Sequence, residues 1–199
     1  MPHPLTGQST NLAPFSYTSL INHDPPLLTI GFAGGISNAK DTLTNLLSTH
    51  ECTINIISEH YIEAANACSI NAPYGISEWS LSGLTPAPSS LVKPSRVKEA
   101  VFSIEGKVLN HQEFESRVTK GKKTGVLVVV EGVKFWVRED ALNEERNIID
   151  PGVLRPVSRL GGIMYGRTTE GVEIPRPDFG EKEKVGETEG LVKPKVEGQ

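Results

Sequence analysis

Apolar residues in the N-terminal half of the chain come in short runs broken by proline, glycine and asparagine, a pattern of strands joined by turns rather than of long helices. Pro14-Phe15-Ser16-Tyr17-Thr18-Ser19-Leu20-Ile21 is aromatic and β-branched and predicts a strand. Asp24-Pro25-Pro26 breaks it, and Leu27-Leu28-Thr29-Ile30-Gly31-Phe32 predicts the next one. The loop Ala33-Gly34-Gly35-Ile36-Ser37-Asn38 then leads into a predicted helix. Ser37 or Asn38 can cap it, Asp41 falls in its first turn, and Leu43, Leu46 and Leu47 share one face. Cys52-Thr53-Ile54-Asn55-Ile56-Ile57 predicts a further strand. Ser58 reads as the N-cap of a second helix over 59–67, with Ile62, Ala65 and Asn66 on one side.

Residues 73–94 are loop-rich, with a short helical turn near 77–81. Beyond them the period returns to two. Val101, Ser103, Glu105 and Lys107 fall on one face of a strand, and Phe102, Ile104, Gly106 and Val108 on the other. Residues 125–130 are almost continuously apolar, as in a strand buried on both faces. Val133-Lys134-Phe135-Trp136-Val137 follows after Glu131-Gly132 and reads as a tight hairpin or a bulged continuation. Lys120-Gly121-Lys122-Lys123 reads as a solvated hairpin tip. The stretch 180–199 is rich in Gly, Lys and Glu and predicts disorder. The division that results is an irregular N-terminus (1–10), one folded domain (11–179) and a disordered tail (180–199).

With 199 residues, 37% of them hydrophobic, the chain can bury one sizeable core. A net charge of −4 provides no global basic field, so no nucleic-acid partner and no anionic membrane is expected. The apolar runs are too short for a membrane span, and Met1-Pro2-His3-Pro4 does not open a secretory signal, so a cytoplasmic location is expected. Cys52 and Cys68 form no disulfide framework and read as core residues. The histidines show no metal spacing; His23 and His60 read as surface residues, and Trp79 and Trp136 as packing residues.

Three segments carry candidate chemistry. In Asn11-Leu12-Ala13-Pro14-Phe15-Ser16-Tyr17 a proline that cannot donate interrupts an apolar strand. Irregular backbone there leaves N–H and C=O groups for a planar, hydrogen-bonding ligand such as isoalloxazine, although an ordinary bulged edge strand has the same composition. Ser37-Asn38-Ala39-Lys40-Asp41-Thr42 delivers a glycine-bearing loop to a helix start, where free N–H groups and the helix dipole favour an anion. A capped helix with no ligand is the alternative. Three arginines and a double glycine, in Arg155-Pro156-Val157-Ser158-Arg159-Leu160-Gly161-Gly162-Ile163-Met164-Tyr165-Gly166-Arg167, sit in a segment that is not a regular element. They suit phosphate recognition, or else the segment is a turn whose arginines pair with surface carboxylates.

In order and spacing these segments resemble the flavin reductase-like family. Asn11 to Tyr17, Asp24-Pro25-Pro26 and Lys40-Asp41-Thr42-Leu43-Thr44-Asn45 are similar to its N-terminal half. Glu51-Cys52-Thr53-Ile54-Asn55 is similar to the strand after its first helix, and Gly75-Ile76-Ser77-Glu78-Trp79 with Gly83-Leu84-Thr85-Pro86 to its middle loop. Leu154 to Gly162, with Tyr165 and Arg167, is similar to its C-terminal signature. The resemblance implies a mainly β fold with a few helices: an FMN-binding split β-barrel that forms a homodimer with the cofactor near the subunit interface. It places Asn11, Leu12, Ala13, Pro14, Phe15 and Ser16 along the isoalloxazine and ribityl chain. Lys40, Asp41 and Thr42 fall at the phosphate, Ser37 counts among the cofactor-binding residues, and Arg159, Gly161 and Gly162 fall over the flavin or against the partner subunit.

The family opens with a strand of the type R-P-I, and Met1 lies only ten residues before Asn11, so the usual first barrel strand is expected to be absent. The function implied is an FMN-dependent oxidoreductase that takes a hydride from NADH or NADPH and passes electrons to flavin, oxygen or a partner enzyme. The alternatives are a non-catalytic FMN-binding protein and an N-terminally truncated, inactive member. The flavin carries the redox chemistry, so no general acid or base is assigned.

Overall fold

The computed structural model describes residues 10–73 and 75–179. The chain enters its main sheet at β1 (Thr18–His23), turns at the cis Asp24–Pro25 peptide and returns as β2 (Pro26–Ala33). A 3-10 turn (Ile36–Asn38) and helix α1 (Asp41–Thr49) lead to β3 (Glu51–Asn55). A second 3-10 turn (Glu59–Tyr61) runs into α2 (Ile62–Ala67), followed by α3 (Glu78–Ser82) and the short pair β4 (Pro86–Ala87) and β5 (Arg96–Val97). The long hairpin of β6 (Phe102–Glu115) and β7 (Lys123–Val137) returns to the sheet. After it come α4 (Pro151–Leu154) and a small hairpin, β8 (Val157–Gly161) and β9 (Met164–Arg167). The five-stranded sheet has the order β1-β2-β7-β6-β3, every neighbouring pair is antiparallel, and the sheet is not closed. No helix among the described residues is long and apolar enough to cross a membrane.

Strand alternation builds the core. Ile30 and Phe32 of β2 and Val126, Val128 and Val130 of β7 lie on one face of the sheet, covered by Leu43 and Leu46 of α1. Leu43 is 2% exposed, so Leu43→Ala is expected to cost about 2–4 kcal/mol through lost burial and the cavity left behind. Urea unfolding would measure the loss, and a cost under about 1 kcal/mol would mean that α1 is not part of the core. A second cluster joins Tyr61, Ala65, Cys68, Leu84 and Val97.

Local physics explains where the elements depart from the sequence expectations. The first strand begins at Thr18 rather than Pro14, because Pro14 has no N–H for a ladder and the preceding segment is fixed by packing. Leu12 packs on the second cluster, and Phe15 meets Phe32 edge-on at 4.9 Å. Lys40, not Ser37 or Asn38, is the N-cap of α1, since Ser37 and Asn38 belong to the 3-10 turn. Residues 59–61 are also 3-10, Ser58 makes no side-chain cap bond, and the inward residues are Tyr61, Ala65 and Cys68, with Asn66 exposed. β7 is one strand of 15 residues whose register slips opposite Glu105 and Gly106, so the bulged continuation holds and the hairpin does not. Its second face is half-buried rather than fully buried. The segment expected to be irregular, 155–167, contains the β8–β9 hairpin. Lys120 to Lys123 lies at the tip of the β6–β7 hairpin, where Lys123 pairs with Glu115 at 3.4 Å. The expected tail, 180–199, and residues 1–9 lie outside the described residues.

Candidate functional site

Helix α1 starts without a side-chain cap. Its N-cap is Lys40, which carries no acceptor, and the first N–H to find an intrahelical partner is that of Thr44, on the Lys40 carbonyl at 3.0 Å. The N–H groups of Asp41, Thr42 and Leu43 are therefore left at the positive end of the helix dipole. Lys40 is exposed, and Asp41 and Thr42 are half-buried. Ser37 sits just upstream, exposed on the 3-10 turn.

A chain of hydrogen bonds joins this helix start to the irregular segment 11–16. Thr42 Oγ1 donates to Asn11 Oδ1, and Asn11 Nδ2 donates to Glu78 Oε2 at 3.2 Å. The Leu12 N–H donates to the same carboxylate oxygen at 3.2 Å, and Ser77 Oγ donates to the Thr10 carbonyl at 2.9 Å. Glu78 is only 5% exposed, so the ribbon is held by a buried acceptor. Leu12 and Phe15 commit their side chains to the two cores, and what they can offer a ligand is backbone. Among the described residues, no partner receives the N–H of Ala13, Phe15 or Ser16, and Pro14 has none. The segment is thus an anchored ribbon with unused donors beside an uncapped helix start.

The C-terminal candidates lie elsewhere. Gly161 (φ +108°) and Gly162 (φ +52°) make the turn of the β8–β9 hairpin in the left-handed region that suits glycine. Arg159 donates to the Gly162 carbonyl and lies over the Tyr165 ring, 4.6 Å from its centroid. Arg155 and Arg167 both pair with Glu59, the latter at 2.8 Å, which is the carboxylate alternative for these two. Among the described residues, no hydrogen bond or ion pair links Arg159, Gly161 or Gly162 to the Asn11–Thr42 group. An open cleft of ≈ 610 Å³ beside the hairpin is lined by Glu59, Glu63 and Glu99 with Arg167, an acidic surrounding that disfavours an anionic ligand.

Burial pushes the Cys52 thiol up to about 12 and also raises that of Cys68, which disfavours a thiolate at either position. Sequence reasoning missed Glu78 and Glu113 as site residues. Glu113 Oε1 accepts from the Ile36 N–H at 2.7 Å and so holds the loop ahead of α1. Glu78 lies inside a segment quoted for the resemblance, but periodicity carries no sign that an acid there is buried.

Comparison with known proteins agrees with this architecture. The model of the family described as "Flavin reductase like domain" matches residues 5–157. A protein of Aquifex aeolicus is 32% identical over 174 residues, covering 83% of this chain and 84% of that protein. Among solved structures, nitrilotriacetate monooxygenase component B from Bacillus cereus superposes with a TM-score of 0.76 at 29% identity, covering 82% of this chain and 79% of that one. The 2-nitrobenzoate 2-nitroreductase NbaA of Pseudomonas fluorescens gives a TM-score of 0.73 at 28% identity, covering 85% of this chain and 78% of that one. The chain belongs to the flavin reductase-like family, and its mainly β fold is that family's split barrel.

Proposed function

We propose that the chain binds FMN between the 11–16 ribbon and the head of α1, and works as an NAD(P)H-dependent flavin oxidoreductase. Family membership supports a flavin-related oxidoreductase. The observation that carries the FMN reading is the Thr42–Asn11 hydrogen bond, which joins an uncapped helix start to a ribbon of unused backbone donors. The donor set fits the cofactor. The N–H groups of the first turn, the Lys40 ammonium and the Ser37 hydroxyl suit a phosphate; Thr42 offers its N–H, since its hydroxyl proton goes to Asn11, and Lys40 offsets the opposing charge of Asp41. The backbone of Asn11, Leu12, Ala13, Phe15 and Ser16, with the carbonyl of Pro14, suits the hydrogen-bonding edge of isoalloxazine and the ribityl hydroxyls. When bound, the flavin supplies the hydride- and electron-accepting chemistry. The protein's part is to hold the ring on a ribbon that Glu78 and the two cores keep in place.

The proposal includes a homodimer in which Arg159, Gly161 and Gly162 reach the partner's flavin. Leu160, Ile163 and Met164 on the same hairpin are 61%, 94% and 63% exposed, an apolar tip that a partner subunit would cover. The test is oxidation of NADH or NADPH by the full chain with FMN under air. Turnover above that of free flavin is expected. Retained FMN with no turnover would leave a flavin-binding protein and remove the reductase.

A further inference from the structure

Glu113 lies on β6, far in sequence from the loop that precedes α1, yet its carboxylate reaches that loop. Oε1 accepts the Ile36 N–H at 2.7 Å. Two further contacts fix the same stretch. The Gly34 N–H donates to the Thr124 carbonyl at 3.0 Å, tying the loop to β7. A Cβ added at Gly35 would stand 2.6 Å from Lys123 Cβ and 3.2 Å from Glu113 Oε1, so only glycine lets the loop lie this close to the hairpin. Downstream, the Asn38 and Ala39 N–H groups close the 3-10 turn on the Gly35 and Ile36 carbonyls, and Ile36 and Ala39 pack on the core. The end of the β6–β7 hairpin therefore sets the position of the turn that delivers Ser37 and Lys40 to the head of α1.

We infer that Glu113 is a positioning residue that gives the protein its preference for a phosphorylated flavin, an inference that rests on the FMN reading above. The carboxylate takes the Ile36 N–H for itself and so fixes which donors, from Ser37 to Leu43, are left for a ligand. A negative charge placed beside an anion site would weaken phosphate binding if it acted through its charge. As a tether it strengthens that binding, because the donors no longer have to be ordered when the ligand arrives. The two roles have opposite signs, and mutation separates them.

The experiment compares FMN with riboflavin, which lacks the phosphate, by flavin fluorescence titration of the full-length wild type, Glu113→Ala and Glu113→Gln, with thermal unfolding as the control for folding. The wild type is expected to prefer FMN. Glu113→Ala is expected to lose about tenfold in FMN affinity and less than about twofold in riboflavin affinity. Glu113→Gln, whose amide oxygen still accepts from Ile36, is expected to keep the preference. A parallel loss for both flavins, an unchanged ratio or a gain in FMN affinity would overturn the role of Glu113 while leaving FMN binding intact. A wild type that binds neither flavin would remove the FMN reading and this one with it. If Glu113→Ala does not fold, Glu113→Asp, which shortens the side chain and keeps the charge, decides by the same ratio.

Discussion

Glu105→Ala is expected to lower the unfolding free energy by about 3–5 kcal/mol. Glu105 is 0% exposed on β6 and, among the described residues, makes no ion pair. Its charge is instead met by donors: the N–H groups of Ser90, Leu91 and Val92 at 2.9, 2.6 and 3.1 Å, and Trp136 Nε1 at 2.6 Å. The Arg96 guanidinium stacks on the Trp136 ring, 3.8 Å from its centroid. Removing the carboxylate would leave an indole N–H and three backbone N–H groups without their acceptor and free the loop between β4 and β5. Burial pushes the Glu105 carboxyl up, but the donors of Ser90, Leu91, Trp136 and Val92 outweigh it and hold the group at about 2, against an ordinary 4.5. The folded value lies below the unfolded one, so this contribution is complete above pH 4.5 and is lost as the pH falls from there to about 2. Urea unfolding of the wild type and Glu105→Ala across that range should show the gap between them closing toward low pH. A gap that is the same at both ends would contradict the assignment.

Glu78→Ala is expected to weaken FMN binding by about tenfold or more and to cost about 2–3 kcal/mol of stability. Both effects come from one oxygen. Oε2 accepts from Asn11 Nδ2 and from the Leu12 N–H, and Asn11 in turn accepts from Thr42. Without Glu78, the Asn11 side chain keeps its hydrogen bond with Thr42, and the ribbon's tie to α3 is reduced to the Ser77–Thr10 hydrogen bond. Glu78→Gln keeps an acceptor oxygen and should fall between the two. Isothermal titration with FMN reads the first effect and thermal unfolding the second. A variant as destabilised as expected but with unchanged FMN affinity would show that the ribbon is not the flavin's support.

Parts of this structure are legible in the sequence because they follow from local periodicity. The continuous apolar run 125–130 marks a core strand and the helical spacing of Leu43 and Leu46 marks the face of α1 that covers it, but the run does not tell that only Val126, Val128 and Val130 are buried. Pro14 signals the irregular ribbon, since a residue with no N–H cannot take a place in a ladder. The acids at the candidate site are not legible in this way. Glu78 meets Asn11 across 67 positions and Glu113 meets Ile36 across 77, and no short-range pattern marks either partner. Glu105 shows the same limit: alternation puts it on a face with Lys107, yet it is buried by a segment that the sequence reads only as loop-rich. Gly161-Gly162 is legible as a turn, but the two short strands that it joins are not.

The central claim, that this chain holds FMN, is tested most directly by the visible spectrum of the purified full-length protein after FMN is added and the excess removed by desalting. Flavin bands that stay with the protein, and that fade in Glu78→Ala, are the predicted result. A folded but colourless wild type would contradict it.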